Sequence, residues 1–138
     1  ILVGSGICLG TAISESGLSE QAAKLLTGID KLKTVFVILC VALLVTFLTE
    51  ITSNTATTVI LMPILGAVST ASGIEPTLLL IPAAISASCA FMLPVATMPN
   101  AVVYGTGEFS IKRMVKEGFA LNLVGSLVVT TICYSILF

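Results

Sequence analysis

Residues 49–58 read Thr49-Glu50-Ile51-Thr52-Ser53-Asn54-Thr55-Ala56-Thr57-Thr58 and lie between two apolar runs, Val35 to Leu48 and Val59 to Leu65. One continuous helix through this stretch would carry a long polar patch in an otherwise apolar surface. The chain from Lys33 to Gly73 is also about twice the ~20 residues that a single membrane span needs. Two helices meeting at a polar turn fit both facts. An external turn tolerates Lys, Arg, Gly and Pro, whereas this one holds Thr, Ser and Asn with one Glu. Polar backbone at membrane depth survives only where protein or a wet cavity surrounds it, and short hydroxyl and amide side chains supply the partners it needs. The expectation over 31–72 is therefore a re-entrant helical hairpin with its tip at 52–56.

The composition supports a bilayer as the solvent. Of 138 residues, 57% are hydrophobic and 9% charged, against about 25% charged in an ordinary soluble domain. Glu50 is the one Asp, Glu, Lys or Arg between Thr34 and Ala71, and Thr77 to Gly107 has none. Six Lys and Arg against seven Asp and Glu leave no basic field, so nucleic-acid binding is excluded. Four scattered cysteines and no histidine give no metal-ligand set of the zinc type and read as small buried or lipid-facing residues.

On either side of the hairpin the pattern is that of an all-α membrane protein. Residues 1–13 read as the end of a membrane helix with a small-residue face at Gly4, Gly6 and Gly10. Starting mid-helix without Met, the chain reads as the C-terminal part of a longer protein. Residues 14–30 are amphipathic, with Ser14 or Ser16 as a cap and Leu18, Ala22, Leu25, Leu26 and Ile29 at helical spacing, and suit an interfacial helix. Residues 76–109 form a second interrupted helix. Pro94 and Pro99 each remove a backbone donor and disfavour helix before them, which predicts a break at 94–100 centred on Ala96 and Thr97. Lys112, Arg113, Lys116 and Glu117 mark a short polar loop, and 111–138 closes with the last transmembrane helix, whose oddities are Asn122 and Gly125. Lysine and arginine are balanced on the two sides, so charge does not orient the chain.

Two broken elements in one short chain point to ion and anion binding. Carbonyls and hydroxyls at the C-terminal side of a break form oxygen cages for Na⁺, and the N–H groups opening the next helix attract anions. Thr49 ends the first arm of the hairpin; Ser53 or Asn54 caps the second, beside Thr55. Thr97 and Asn100 stand at the other break. Neither break has an Arg or Lys, so an anion would meet neutral donors and a co-bound cation, which predicts obligatory coupling. Glu50 reads as a structural acceptor near the tip, with a proton-carrying role as the alternative.

The stretches Thr49-Glu50-Ile51-Thr52-Ser53-Asn54-Thr55-Ala56-Thr57 and Leu93-Pro94-Val95-Ala96-Thr97-Met98-Pro99-Asn100-Ala101 resemble the second-half signatures of the divalent anion/sodium symporter family, closest to its bacterial INDY-type dicarboxylate transporters. The likeness runs along essentially the whole chain. It implies a fold of two inverted repeats, with this chain as the second without its first few elements, and the N-terminal half missing. It implies one sodium held by Thr49, Ser53, Asn54 and the Ala96 carbonyl, and a dicarboxylate against Ser53, Asn54, Thr55, Thr97 and Pro99. It further implies sodium symport by an elevator movement of a homodimer in the bacterial inner membrane, among lipid. Citrate or sulfate carriage within the family, and a proton-coupled or exchange carrier using Glu50, are the alternatives. An intramembrane hydrolase built on Gly4-Ser5-Gly6 lacks a base, and a purely structural membrane subunit is the remaining class.

Overall fold

The computed structural model describes residues 4, 8, 11, 12, 15–17, 20, 21 and 31–137. The expectations for 1–13 and 14–30 fall mostly outside them. The described residues are helical without strands: α1 Lys31–Thr49, α2 Asn54–Ser72, α3 Thr77–Ser86, α4 Met98–Gly105 and α5 Ile111–Leu137. Asn54–Ser72 and Ile111–Leu137 are long and apolar enough to cross a membrane.

Helices α1, α3 and α5 pack mutually, and α2 packs chiefly against α3. On α1 the buried positions are Thr34, Ile38, Ala42, Val45, Thr46 and Thr49. On α5 they are Met114, Gly118, Asn122, Ser126, Val129, Thr130 and Cys133. Both sets follow helical spacing and form one inward stripe. The stripe is partly polar, whereas Phe36, Leu44, Leu121, Val124, Leu127, Val128, Ile132 and Ile136 face outward. A soluble helix reverses this arrangement. Hydroxyls inside and large aliphatics outside suit helices solvated by hydrocarbon, where polar groups must find partners within the protein. Thus Ser126 Oγ donates to Asn122 O at 2.8 Å and lies 3.3 Å from Thr46 Oγ1 on α1. The chain is that of an integral membrane protein.

Local caps explain most boundaries. Ser53 is extended (φ −71°, ψ 145°), and its Oγ accepts from Ala56 N at 3.1 Å, which starts α2. At the other end Gly73 adopts φ 68°, a left-handed conformation that costs glycine nothing. Ile74 N reaches back to Ser69 O at 3.1 Å there, so the orphan carbonyls of the last turn are met.

Three boundaries differ from the sequence reading. The turn between α1 and α2 occupies 50–53 rather than 52–56, because the Ser53 cap draws Asn54, Thr55 and Ala56 into the first turn of α2. Lys112 to Glu117 belong to the start of α5, not to a loop, since Ser110 O accepts from Arg113 N and Met114 N at 3.0 Å. The interruption of the second helix spans 87–97 rather than 94–100. Pro99 lies in the first turn of α4, where a missing N–H removes no helical bond, so it opens a helix instead of breaking one.

Candidate functional site

The stretch 87–97 keeps short-range turn bonds at its ends, such as Ala87 N to Ala83 O at 2.9 Å and Ala96 N to Leu93 O at 3.2 Å. Its middle must satisfy its backbone elsewhere, and two side chains do this. Glu50 Oε1 accepts from Phe91 N at 2.7 Å and Met92 N at 2.9 Å, and Oε2 accepts from Leu93 N at 3.0 Å. Asn100, in the first turn of α4, donates through Nδ2 to Ala90 O at 2.9 Å and Leu93 O at 3.1 Å. The donors of 91–93 and two of the nearby carbonyls are thereby held by residues at the two edges of the break.

Glu50 itself is 3% exposed. A fourth donor, Asn122 Nδ2 of α5, reaches its Oε1 at 2.8 Å. All four partners are N–H groups and none is cationic. A buried acid is tolerated where hydrogen-bond donors meet its oxygens, as they do here. Helix α5 comes close enough for this because residue 118 is glycine: a Cβ there would sit 2.6 Å from Met92 Cα, closer than real carbon contacts allow.

The second link between the two breaks is Thr49. Its Oγ1 is fully buried, 2.7 Å from Asn54 Oδ1 and 2.9 Å from the Ala87 carbonyl. The hydroxyl has one hydrogen to give and two oxygens within bonding distance. Three oxygens from the end of α1, the start of α2 and the start of the unwound stretch therefore converge.

The remaining expected site residues play local roles. Ser53 Oγ caps α2. Thr55 is exposed in that helix's first turn, where backbone N–H groups have no helical acceptor. Thr97 (φ −141°, ψ 154°) caps α4, accepting from Asn100 N at 3.4 Å. Ala96 N donates to Leu93 O at 3.2 Å within the turn that contains Pro94. Among the described residues no hydrogen bond runs from Ala96, Thr97 or Pro99 to 49–55; the connections are Thr49 to Ala87 and Glu50 to 91–93. The sequence reading missed Ala87, Asn122 and Gly118. An asparagine and a glycine four residues apart in an apolar helix were the available signal for the last two.

Comparison with known proteins identifies the family. Residues 1–137 match the family described as the Sodium:sulfate symporter transmembrane region. The chain is 46% identical over 134 residues to the sodium-dependent dicarboxylate transporter SdcS of Staphylococcus saprophyticus, covering 97% of this chain and 26% of that protein. It is 42% identical over 137 residues to SdcS of Staphylococcus aureus (strain MRSA252), covering 99% of this chain and 26% of the relative. The chain thus spans about a quarter of the length of these relatives. With a match along all but its last residue, it belongs to the sodium:sulfate symporter family.

Proposed function

We propose that this chain is the second repeat of a secondary transporter, a carrier rather than an enzyme, that couples Na⁺ to uptake of a C4-dicarboxylate such as succinate, malate or fumarate. The observation that carries the reading is the meeting of Thr49 Oγ1, Asn54 Oδ1 and the Ala87 carbonyl, an oxygen-rich and proton-poor point between two interrupted helices. Na⁺ takes such oxygens in place of its hydration shell. Thr49, Ser53 and Asn54 hold the ion with a carbonyl of the unwound stretch; the family resemblance names Ala96, and Ala87 already stands beside Thr49.

The anion lies against the N–H groups of Asn54 and Thr55 that open α2 and that of Met98 at the start of α4, with Ser53, Asn54, Thr55, Thr97 and Pro99 at its edge. Those two helix starts supply partial positive charge, and the cation supplies the rest. The α1–α2 pair works as a re-entrant hairpin. A matching first repeat of inverted topology completes the site, and the whole protein is a multi-pass, homodimeric elevator in the bacterial cytoplasmic membrane. The names of the relatives, sodium-dependent dicarboxylate transporters, support sodium and dicarboxylate as its cargo.

A proton-coupled version would employ Glu50. Its engagement with four N–H groups favours a structural tie instead. The test is uptake of radiolabelled succinate, citrate and sulfate by the full-length protein, in sodium and in choline. Sodium-dependent succinate uptake is the expected result, and equal uptake or equally tight substrate binding in choline overturns it. Selective uptake of citrate or sulfate corrects the substrate alone.

A further inference from the structure

The last helix enters the site through a residue that sequence reading left as an oddity. Asn122 is completely buried in the middle of α5, yet its Oδ1 has no hydrogen-bond partner in the structure. Leaving a buried acceptor unmet is unfavourable, and a leucine of similar size would fill the same space without that penalty. Packing therefore does not account for an asparagine here. Its other end does: Nδ2 donates at 2.8 Å to Glu50 Oε1, the oxygen that also takes Phe91 N and Met92 N.

The three bonds on one oxygen fix the orientation of the carboxylate. Glu50 directly follows Thr49, so a turn of its side chain moves two things together. One is the backbone of 91–93, which it holds. The other is the end of α1, where Thr49 meets Asn54 and Ala87. Gly118, one turn before Asn122, lets α5 approach closely enough for the amide to reach.

We infer that Asn122 is a positioning residue for cation binding, acting through Glu50 to hold the hairpin tip and the unwound stretch at the spacing that sodium requires. This rests on the sodium-coupled reading above. Groups that orient ligand-bearing elements from behind are expected to alter ion affinity by about tenfold or more when removed, while the transport steps that follow binding continue.

The experiment uses the full-length transporter with Asn122→Leu and Asn122→Ala. Uptake is measured against sodium concentration at saturating substrate, together with melting of the purified protein over a sodium series. The expected result is a rise of about tenfold in the sodium concentration giving half-maximal uptake. The maximal rate stays within about threefold, and Asn122→Leu melts within a few degrees of the parent without sodium. In a Glu50→Gln background Asn122→Leu adds less than about twofold, because the partner through which it acts is already altered.

A half-saturation within twofold of the parent in both variants overturns the proposal, as does a full independent effect in the Glu50→Gln background. If a variant does not transport, the sodium dependence of its melting decides: weakened stabilisation supports the role, and an unshifted midpoint overturns it. A parent without sodium dependence overturns the transport reading along with this one, whereas a sodium-dependent parent with unshifted variants removes only the role of Asn122.

Discussion

The hydroxyl of Thr49 lies 2.9 Å from the carbonyl of Ala87, thirty-eight positions along the chain. One residue ends α1, and the other begins the non-helical stretch between α3 and α4. Their contact makes two local irregularities into one site, and it is the first place to test.

Thr49→Val keeps the shape of the side chain and deletes the hydroxyl. Whichever of the Ala87 carbonyl and Asn54 Oδ1 receives the hydroxyl hydrogen loses its donor, at about 1–3 kcal/mol. Sodium half-saturation should rise about tenfold or more, with Thr49→Ser close to the parent. Uptake over a sodium series checks this, and a Val variant with parental sodium dependence contradicts the ligand role.

Gly118→Ala and Gly125→Ala form a matched pair on α5. A methyl at 118 meets the backbone of Phe91 and Met92, whereas at 125 it meets nothing within 4 Å. Forcing apart closely packed backbones costs about 1–3 kcal/mol, so Gly118→Ala should melt several degrees lower. Gly125→Ala should be neutral or slightly more stable, as alanine favours helix by up to ~1 kcal/mol. Thermal melting of the two detergent-purified variants distinguishes them.

Asn100→Ala releases the carbonyls of Ala90 and Leu93 together. The expected penalty is about 1–3 kcal/mol, because acceptors near the break lose their donors. Asn100→Asp, which has no amide hydrogens to give, should be at least as harmful. Melting temperature and succinate uptake should both fall for the two variants; normal values would show that the stretch keeps its shape without Asn100.

Glu50→Gln replaces one carboxylate oxygen by an NH₂ group amid four donors. Wherever the amide nitrogen settles, it faces an N–H and leaves at least one buried donor unmet, at about 1–3 kcal/mol. Uptake should fall at least tenfold at subsaturating sodium, with partial recovery at high sodium. Normal transport by this variant would show that the break does not depend on the carboxylate.

Much of this arrangement was legible in the chain, for physical reasons. The apolar runs around 49–58 forced two helices, and Ser53 announced a cap because its hydroxyl is a good acceptor for first-turn N–H groups. The prolines showed that a second helix was interrupted. They did not show where, because the partners that let the backbone leave the helix at Ala87 come from Thr49 and Glu50, about forty residues earlier. Pro99 is ambiguous by nature: proline disrupts a helix interior and suits a helix start, and only the Thr97 cap decides between them. Asn122 was visible only as a polar residue in an apolar helix, since its meaning depends on a partner on α1.

Glu50 also changes what an unwound segment means over time. Residues outside helices usually exchange their amide hydrogens with solvent fastest, because nothing needs to open first. Phe91, Met92 and Leu93 are outside any helix, yet their N–H groups are bound to a buried carboxylate. Their exchange in deuterated buffer should be slow, comparable to that of amides inside α5, with release only when α1, α5 and the stretch separate. The visibly irregular segment would then be among the slowest clocks in the chain.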